Sequence, residues 1–458
     1  MSYKKKRIVD LLLNFFVFIS IIVFFYTIYR MSIYFVNGVE LKIIFEKYIK
    51  YLIFSLVLFV SLLLIFKLDY PIKINIVLSC ISIVIILYTI ELTLFIAFPD
   101  QREKNFLTDK NKVNQLIKIK KFVDNQIFPF DVINEKIDIG DKKIYPLSYI
   151  SNTKTFLCNE VGKDIFYISD KFGFRNSNKD WNNQVIDYLL IGDSFIHGAC
   201  EEDENIISNF LKKKNISVIN LGLGGAGPLR ELAVLSEYAP IVKPKNVIWF
   251  YSEGTDLTKD LRGEKNNINL KKYLDDEFSQ NLIENKEAVS AEIQKLIKKK
   301  ISLKIKEKKV KKNEINEKVT IFLKKTKVLR LWNIRTLISS FINSGTIIDP
   351  LFFEIIETAK KRTEKWNGKI YFVYMPEARR YDNHLNRYLI KNKYRNKNLI
   401  INKLNKMNID IIDVDKDIFD KNNNPLIYFN KKKVHYNKNG YELIANYIFK
   451  KIQNKNIK

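Results

Sequence analysis

The apolar positions of this chain follow two patterns, and the change comes near residue 98. Before it they form long, nearly unbroken runs. Residues 11–29 read LLLNFFVFISIIVFFYTIY, with one Asn and no charge. Residues 52–66 read LIFSLVLFVSLLLIF and extend back through Tyr48 and Tyr51, with Lys47 and Lys50 placed to snorkel. Residues 74–98 read INIVLSCISIVIILYTIELTLFIAF, with Glu91 the only charge. A helix that crosses a bilayer needs about 20 mostly apolar residues, so three transmembrane helices are expected over 1–98. The first run has no small-residue cleavage site after it and two more runs come later, unlike a removed signal peptide. Lys4, Lys5, Lys6 and Arg7 precede it. That predicts a cytoplasmic N-terminus and, after three crossings, a remainder outside the cytoplasm. Glu91 is expected to face another helix or to lie near the outer interface.

After Phe98 the apolar runs shorten, become rich in β-branched residues and alternate with amphipathic stretches. Strands are expected at 187–192, 216–221, 246–252, 369–375 and 409–414. Residues 229–242 and 437–452 have helical spacing, the latter with Asn437 as N-cap. Strands alternating with helices make a parallel α/β sheet. The chain thus divides into a membrane domain at 1–98, a leading segment at 99–180 and an α/β domain at 181–458 on which that segment packs. An insertion at about 258–345 interrupts the α/β domain. Within it, 294–335 holds sixteen Lys/Arg and three Glu, which reads as a solvated helical face, with an anionic-surface site as the alternative.

Composition narrows the classes. Of 458 residues, 47% are hydrophobic, which excludes wholesale disorder. Three cysteines exclude a disulfide scaffold and argue against a Cys-rich zinc domain. Lys+Arg 77 against Asp+Glu 50 gives a net charge of +27, which suits lipid headgroups or an anionic substrate. Lys, Ile and Asn are abundant throughout, so compositional drift accounts for most of the excess. No RNP, helix-turn-helix or zinc-finger pattern supports nucleic-acid binding.

Candidate chemistry lies at the strand ends, where open α/β sheets build their sites. Residues 189–200 read LLIGDSFIHGAC and put Ser194 just past a strand. Asp193 there is a supporting group or a helix N-cap. The second strand ends in NLGLGGAGP at 220–228, glycines that allow close backbone approach. The third ends in FYSEGTDL at 250–257, with Glu253, Thr255 and Asp256. Of three histidines, His435 opens the last amphipathic helix in HYNKNGYELIA. His197 is expected to pack beside the site, and His384 to be structural or solvated.

Together these blocks resemble the SGNH/GDSL hydrolase family. The matching pieces are GDS with Ser194, Asn220 to Gly225, the polar stretch after the third strand, and His435 with its following helix. SDKFGFRN at 169–176 and NLGLGGAGPLRELA at 220–233 look like the membrane-anchored bacterial branch. The resemblance covers roughly 165–260 and 369–450. It implies a three-layer, flavodoxin-like parallel sheet, here preceded by three transmembrane helices in a bacterial inner membrane, with the catalytic domain on the periplasmic or extracellular side. It implies Ser194 as nucleophile and His435 as base. The oxyanion donors it implies are the backbone N–H groups of Ser194 and Gly225 and a third group. The family places an Asn at the third position, where this chain has Thr255 in G-T-D. It places an Asp three residues before the His, where this chain has Lys432. Asn430 or a carboxylate from elsewhere in the chain, such as Glu253 or Asp415, could replace that acid, or a Ser–His dyad could work without one.

Outside the cytoplasm a Cys158–Cys200 disulfide is allowed and would staple the leading segment to the catalytic rim. Two unpaired small hydrophobes are the alternative, and Cys80 should be free. The function expected is a serine esterase or O-acyltransferase acting on acyl esters of an envelope glycan or lipid, with membrane lipids as partners and no metal or cofactor. The alternative, motivated by Thr255 and Lys432, is a degenerate protein of the same fold that binds glycan or scaffolds an envelope assembly.

Overall fold

The structure, a computed structural model, describes residues 3–36, 41–97, 109–160, 162–310, 326–342, 348–381, 394, 396–431 and 434–456. His384 and Lys432 lie outside the described residues, as does 311–325 of the basic insertion. The chain forms two compact units, Met1–Pro99 with Phe322–Arg335, and Asp100–Ile321 with Thr336–Lys458. Part of the insertion thus groups with the N-terminal unit.

That unit holds the helices Tyr3–Val36, Leu41–Ile65 and Tyr70–Ala97. Each contains a stretch long and apolar enough to cross a membrane, with mean hydropathy of 2.7, 2.3 and 2.4. Ser20, Thr27 and Ser55 each return their hydroxyl proton to a carbonyl one turn back. That satisfies three hydroxyls that are buried. Glu91 is fully buried. Its carboxylate accepts from the Asn333 and Ile334 amides and from Asn333 Nδ2. These are the first turn of the helix Trp332–Ile342, where free N–H groups and the helix dipole favour an anion.

In the second unit, the leading segment contributes short strands: β1 Phe128–Pro129, β2 Ile137–Ile139, β3 Lys142–Ile144, β4 Lys154–Cys158 and β5 Ile165–Ile168. The main sheet comes next: β6 Tyr188–Ile191, β7 Val218–Asn220, β8 Asn246–Ser252, β9 Lys369–Met375 and β10 Asp410–Asp413. These match the five apolar runs to within a residue or two. All neighbours are parallel, in the order β10-β9-β8-β6-β7. This is the doubly wound order in which the strand sequence reverses beside the first strand, opening a crevice at the carboxyl ends.

Side-chain alternation gives each face its own core. Leu189, Ile191, Val247, Trp249, Ile370 and Phe372 bury against the helices Pro228–Val242 and Pro350–Glu364. Tyr188, Leu190, Ile248, Phe250, Tyr371 and Val373 bury against Ile207–Lys212 and Lys438–Asn456. The last helix starts as its sequence predicts, with Asn437 Oδ1 accepting from the Gly440 amide at 3.1 Å.

Candidate active site

Strand β6 is buried along its whole length and delivers the chain to Gly192 and Asp193. Asp193, two residues past the strand, caps the short helix Ser194–His197, its Oδ1 accepting from the Phe195 amide at 2.9 Å. Ser194 is therefore the first residue of a helix and half-buried, with its amide at the free N–H end. Neither the Ser194 nor the Gly225 amide donates a hydrogen bond to another described residue. Both are available to a developing negative charge.

The loop after β7 lies directly on this turn. A Cβ on Gly222 would sit 2.4 Å from the His197 amide nitrogen, so only glycine permits the approach. The Gly224 amide donates to His197 Nδ1 at 3.3 Å. Burial, and then the Arg175 charge, depress the His197 imidazole to about 3. It stays neutral and keeps the acceptor that holds the glycine loop.

Arg175, from the SDKFGFRN run, clamps the other end of the helix. Its guanidinium donates to the carbonyls of His197, Gly198 and Glu201 and to Asp203. Asn176 is paired in both directions with the Asn220 backbone. The leading segment is thus wired into the turn that carries Ser194.

His435 arrives from the far end of the chain. Its Nε2 lies 2.9 Å from Ser194 Oγ, across 241 residues of sequence. Its Nδ1 lies 3.0 Å from Oε2 of Glu160. A carboxylate at Nδ1 selects the tautomer with the proton on that nitrogen, leaving Nε2 to accept from the Ser194 hydroxyl. The same Glu160 oxygen accepts from Asn430 Nδ2 at 2.9 Å, and the Asn430 amide donates to the His435 carbonyl at 2.8 Å. The Phe195 ring meets the imidazole edge-on, with centroids 5.1 Å apart. Ser194, His435 and Glu160 form a continuous hydroxyl–imidazole–carboxylate relay.

Glu160 is not among the acids that the sequence singles out, and those are engaged elsewhere. Glu253 accepts from Tyr374, Arg380 and the Glu377 amide. Asp415 is paired with Lys397 and Arg380 and accepts from Tyr381. Asn430 touches the relay by orienting the acid rather than replacing it. The Thr255 hydroxyl, expected as the third oxyanion donor, lies 2.9 Å from Ser252 Oγ, 3.3 Å from Asp193 Oδ2 and 3.4 Å from Asp256 Oδ1. It has one proton, already used within that group. Asp256 accepts from the Ser252 amide at 2.8 Å.

Cys158, at the end of β4, is disulfide-bonded to Cys200, with Cα atoms 5.6 Å apart. Cys80 carries no disulfide. The bridge joins the strand leading to Glu160 with the loop that follows Ser194. Closing a loop of 42 residues is worth about 4 kcal/mol in the chain-entropy model. We expect Cys158→Ser to lower the unfolding midpoint. In an ester-hydrolysis assay it should also reduce kcat by up to about 10²-fold, because the acid two residues on loses its anchor. Unchanged kcat would show that Glu160 is held without the bridge.

No protein-family model and no curated protein matches the chain. Among solved structures it is similar to a G-D-S-L family protein from Desulfitobacterium hafniense (15% identity, TM-score 0.30, covering 57% of this chain and 97% of that one). It is also similar to a lipase/acylhydrolase from Enterococcus faecalis (14%, TM-score 0.31, 59% and 97%). A third is a psychrotrophic esterase from Pseudoalteromonas sp. (10%, TM-score 0.29, 59% and 99%). At this level of similarity, function has to rest on the site's own geometry.

Proposed function

We propose that this chain is a membrane-anchored serine esterase or O-acyltransferase of SGNH type that acts on acyl esters of an envelope glycan or lipid. The observation that carries the reading is the Ser194–His435–Glu160 relay beside two unengaged amides.

In this reading Ser194 Oγ attacks the acyl carbonyl while its proton passes to His435 Nε2. The oxyanion is held by the Ser194 and Gly225 amides, and Glu160 stabilises the imidazolium. The ester C–O bond then breaks, and the alcohol leaves with the proton from His435. Water or a sugar hydroxyl, deprotonated by His435, attacks the acyl-enzyme and frees Ser194. Hydrolysis and transfer differ only in which hydroxyl reaches that intermediate.

The side of the membrane is inferred from charge and redox chemistry. Four basic residues precede the first apolar helix, which favours a cytoplasmic N-terminus. The Cys158–Cys200 bridge suits an oxidising compartment for the α/β unit. The net charge of +27 suits anionic headgroups or an anionic polymer near the site.

The purified full chain in detergent should hydrolyse a small acetyl ester, and adding an oligosaccharide acceptor should report any transfer. Turnover lost in Ser194→Ala supports the reading. No turnover on acetyl or longer acyl esters, with the fold intact and no acyl transfer, would favour the non-catalytic alternative.

A further inference from the structure

Next to Ser194, beginning at its neighbour Asp193, the chain concentrates carboxylates that the hydrolytic reading does not use. Asp256 and Asp260 lie on a single π-helical turn after β8, whose signature is the Leu261 amide bonded to the Asp256 carbonyl. Such a turn puts residues four apart on one side, and π-turns recur at functional sites. Asp193, Asp256 and Asp260 each present an oxygen within 4.8 Å of the others. Asp193 and Asp256 are buried and Asp260 is partly so.

A second observation comes from a different element. Glu231, in the first turn of the helix Pro228–Val242, is 1% exposed. Neither of its carboxylate oxygens has a hydrogen-bond partner among the described residues. The groups acting on it most strongly are Asp256, Asp193, Glu264 and Asp260, all acidic. Glu264 is otherwise committed, accepting from the amides of Gly227, Leu229 and Arg230. The positive groups reaching the cluster are Lys259 toward Asp260 and His435 toward Asp193. Burial and mutual repulsion push the Asp256 and Glu231 carboxyls well up. A buried carboxylate without a partner, under the repulsion of these acidic groups, is costly unless a cation or protons compensate it.

We propose that Asp193, Asp256 and Asp260, with the added negative charge of the buried Glu231, bind one hard divalent cation beside Ser194. The donor set is all oxygen, with the Thr255 hydroxyl within reach of the Asp193 and Asp256 carboxylates. That chemistry suits Ca²⁺, which takes 6–8 oxygens, or Mg²⁺, and disfavours soft metals. The cation takes no part in acyl transfer. It holds Asp193, and through its bond to the Phe195 amide the turn that presents Ser194.

The test is metal uptake by the full chain in detergent after treatment with EDTA and dialysis. Calorimetric titration with CaCl₂, MgCl₂ and MnCl₂, with elemental analysis of the loaded protein, should give one equivalent per chain for at least one of them. The unfolding midpoint should rise with its concentration. Glu231→Gln and Asp260→Asn, each checked by circular dichroism, should weaken binding by about tenfold or more. Folded wild-type protein that takes up none of the three at millimolar concentration overturns the proposal, whatever becomes of the variants. So does binding that both folded variants retain unchanged. A midpoint raised by the substitutions in EDTA, with no metal effect on wild type, assigns the cluster to shared protons and also overturns it.

Discussion

Ser194→Ala should lower kcat/KM for ester hydrolysis by a factor on the order of 10⁴ or more, and His435→Ala should do nearly the same. In the proposed mechanism the two groups are one device, because the hydroxyl is a poor nucleophile until Nε2, 2.9 Å away, takes its proton. The double variant should therefore be hardly worse than either single one. Steady-state kinetics on the three proteins checks this. Losses that multiply in the double variant would mean that the two side chains act independently. Residual rate above the uncatalysed reaction is expected in all three, since the two backbone amides survive every side-chain change.

The second large effect belongs to Glu160. One of its oxygens, Oε2, accepts from both His435 Nδ1 and Asn430 Nδ2. In Glu160→Gln, the Asn430 donor selects the amide orientation that keeps an oxygen at that place. The imidazole tautomer then survives and the negative charge does not. We expect kcat to fall on the order of 10², with KM nearly unchanged, because the charge matters when the imidazolium forms. Glu160→Ala removes the acceptor as well and should cost roughly another tenfold. Equal rates in wild type and both variants would reduce the site to a Ser–His dyad. Asn430→Ala tests the same logic from outside. Alone it should do little, but combined with Glu160→Gln it should do much more, because nothing else then chooses the amide's orientation.

The acid escaped the sequence for a physical reason. The five strands of the main sheet could be read because parallel strands buried on both faces become continuous apolar runs, and these do. Ser194 and His435 could be singled out because each follows or precedes such an element in a distinctive local setting. Glu160 has neither advantage. It comes from the leading segment, 275 residues before the imidazole it meets, and outside the blocks that carry the resemblance. Two signals did bear on it. The position expected to supply the acid is Lys432, so the carboxylate had to come from elsewhere. A bridge from Cys158 to Cys200 would bring whatever neighbours Cys158 to the rim, and Glu160 is the carboxylate two residues on.

Thr255 shows the opposite limit. Its position after β8 is legible, and its role as an oxyanion donor rests only on the resemblance, which places an Asn there. In the structure its hydroxyl turns to Asp193, Ser252 and Asp256, a cluster assembled from separate strand ends and invisible in any one stretch of sequence. Glu91 is similar. The sequence leaves it either facing another helix or near the outer interface, and its partners, the amides of Asn333 and Ile334, lie 242 and 243 residues away.

The most direct test of the relay is covalent. A fluorophosphonate reacts with a serine only when a neighbouring base has activated it and an oxyanion site receives the phosphoryl oxygen. Incubating the full chain with such a probe and mapping the adduct by peptide mass spectrometry should place one phosphonyl group on Ser194. The adduct should be absent from His435→Ala and slowed in Glu160→Gln. Folded wild-type protein with an unmodified Ser194, or with labelling that ignores His435, would contradict the account.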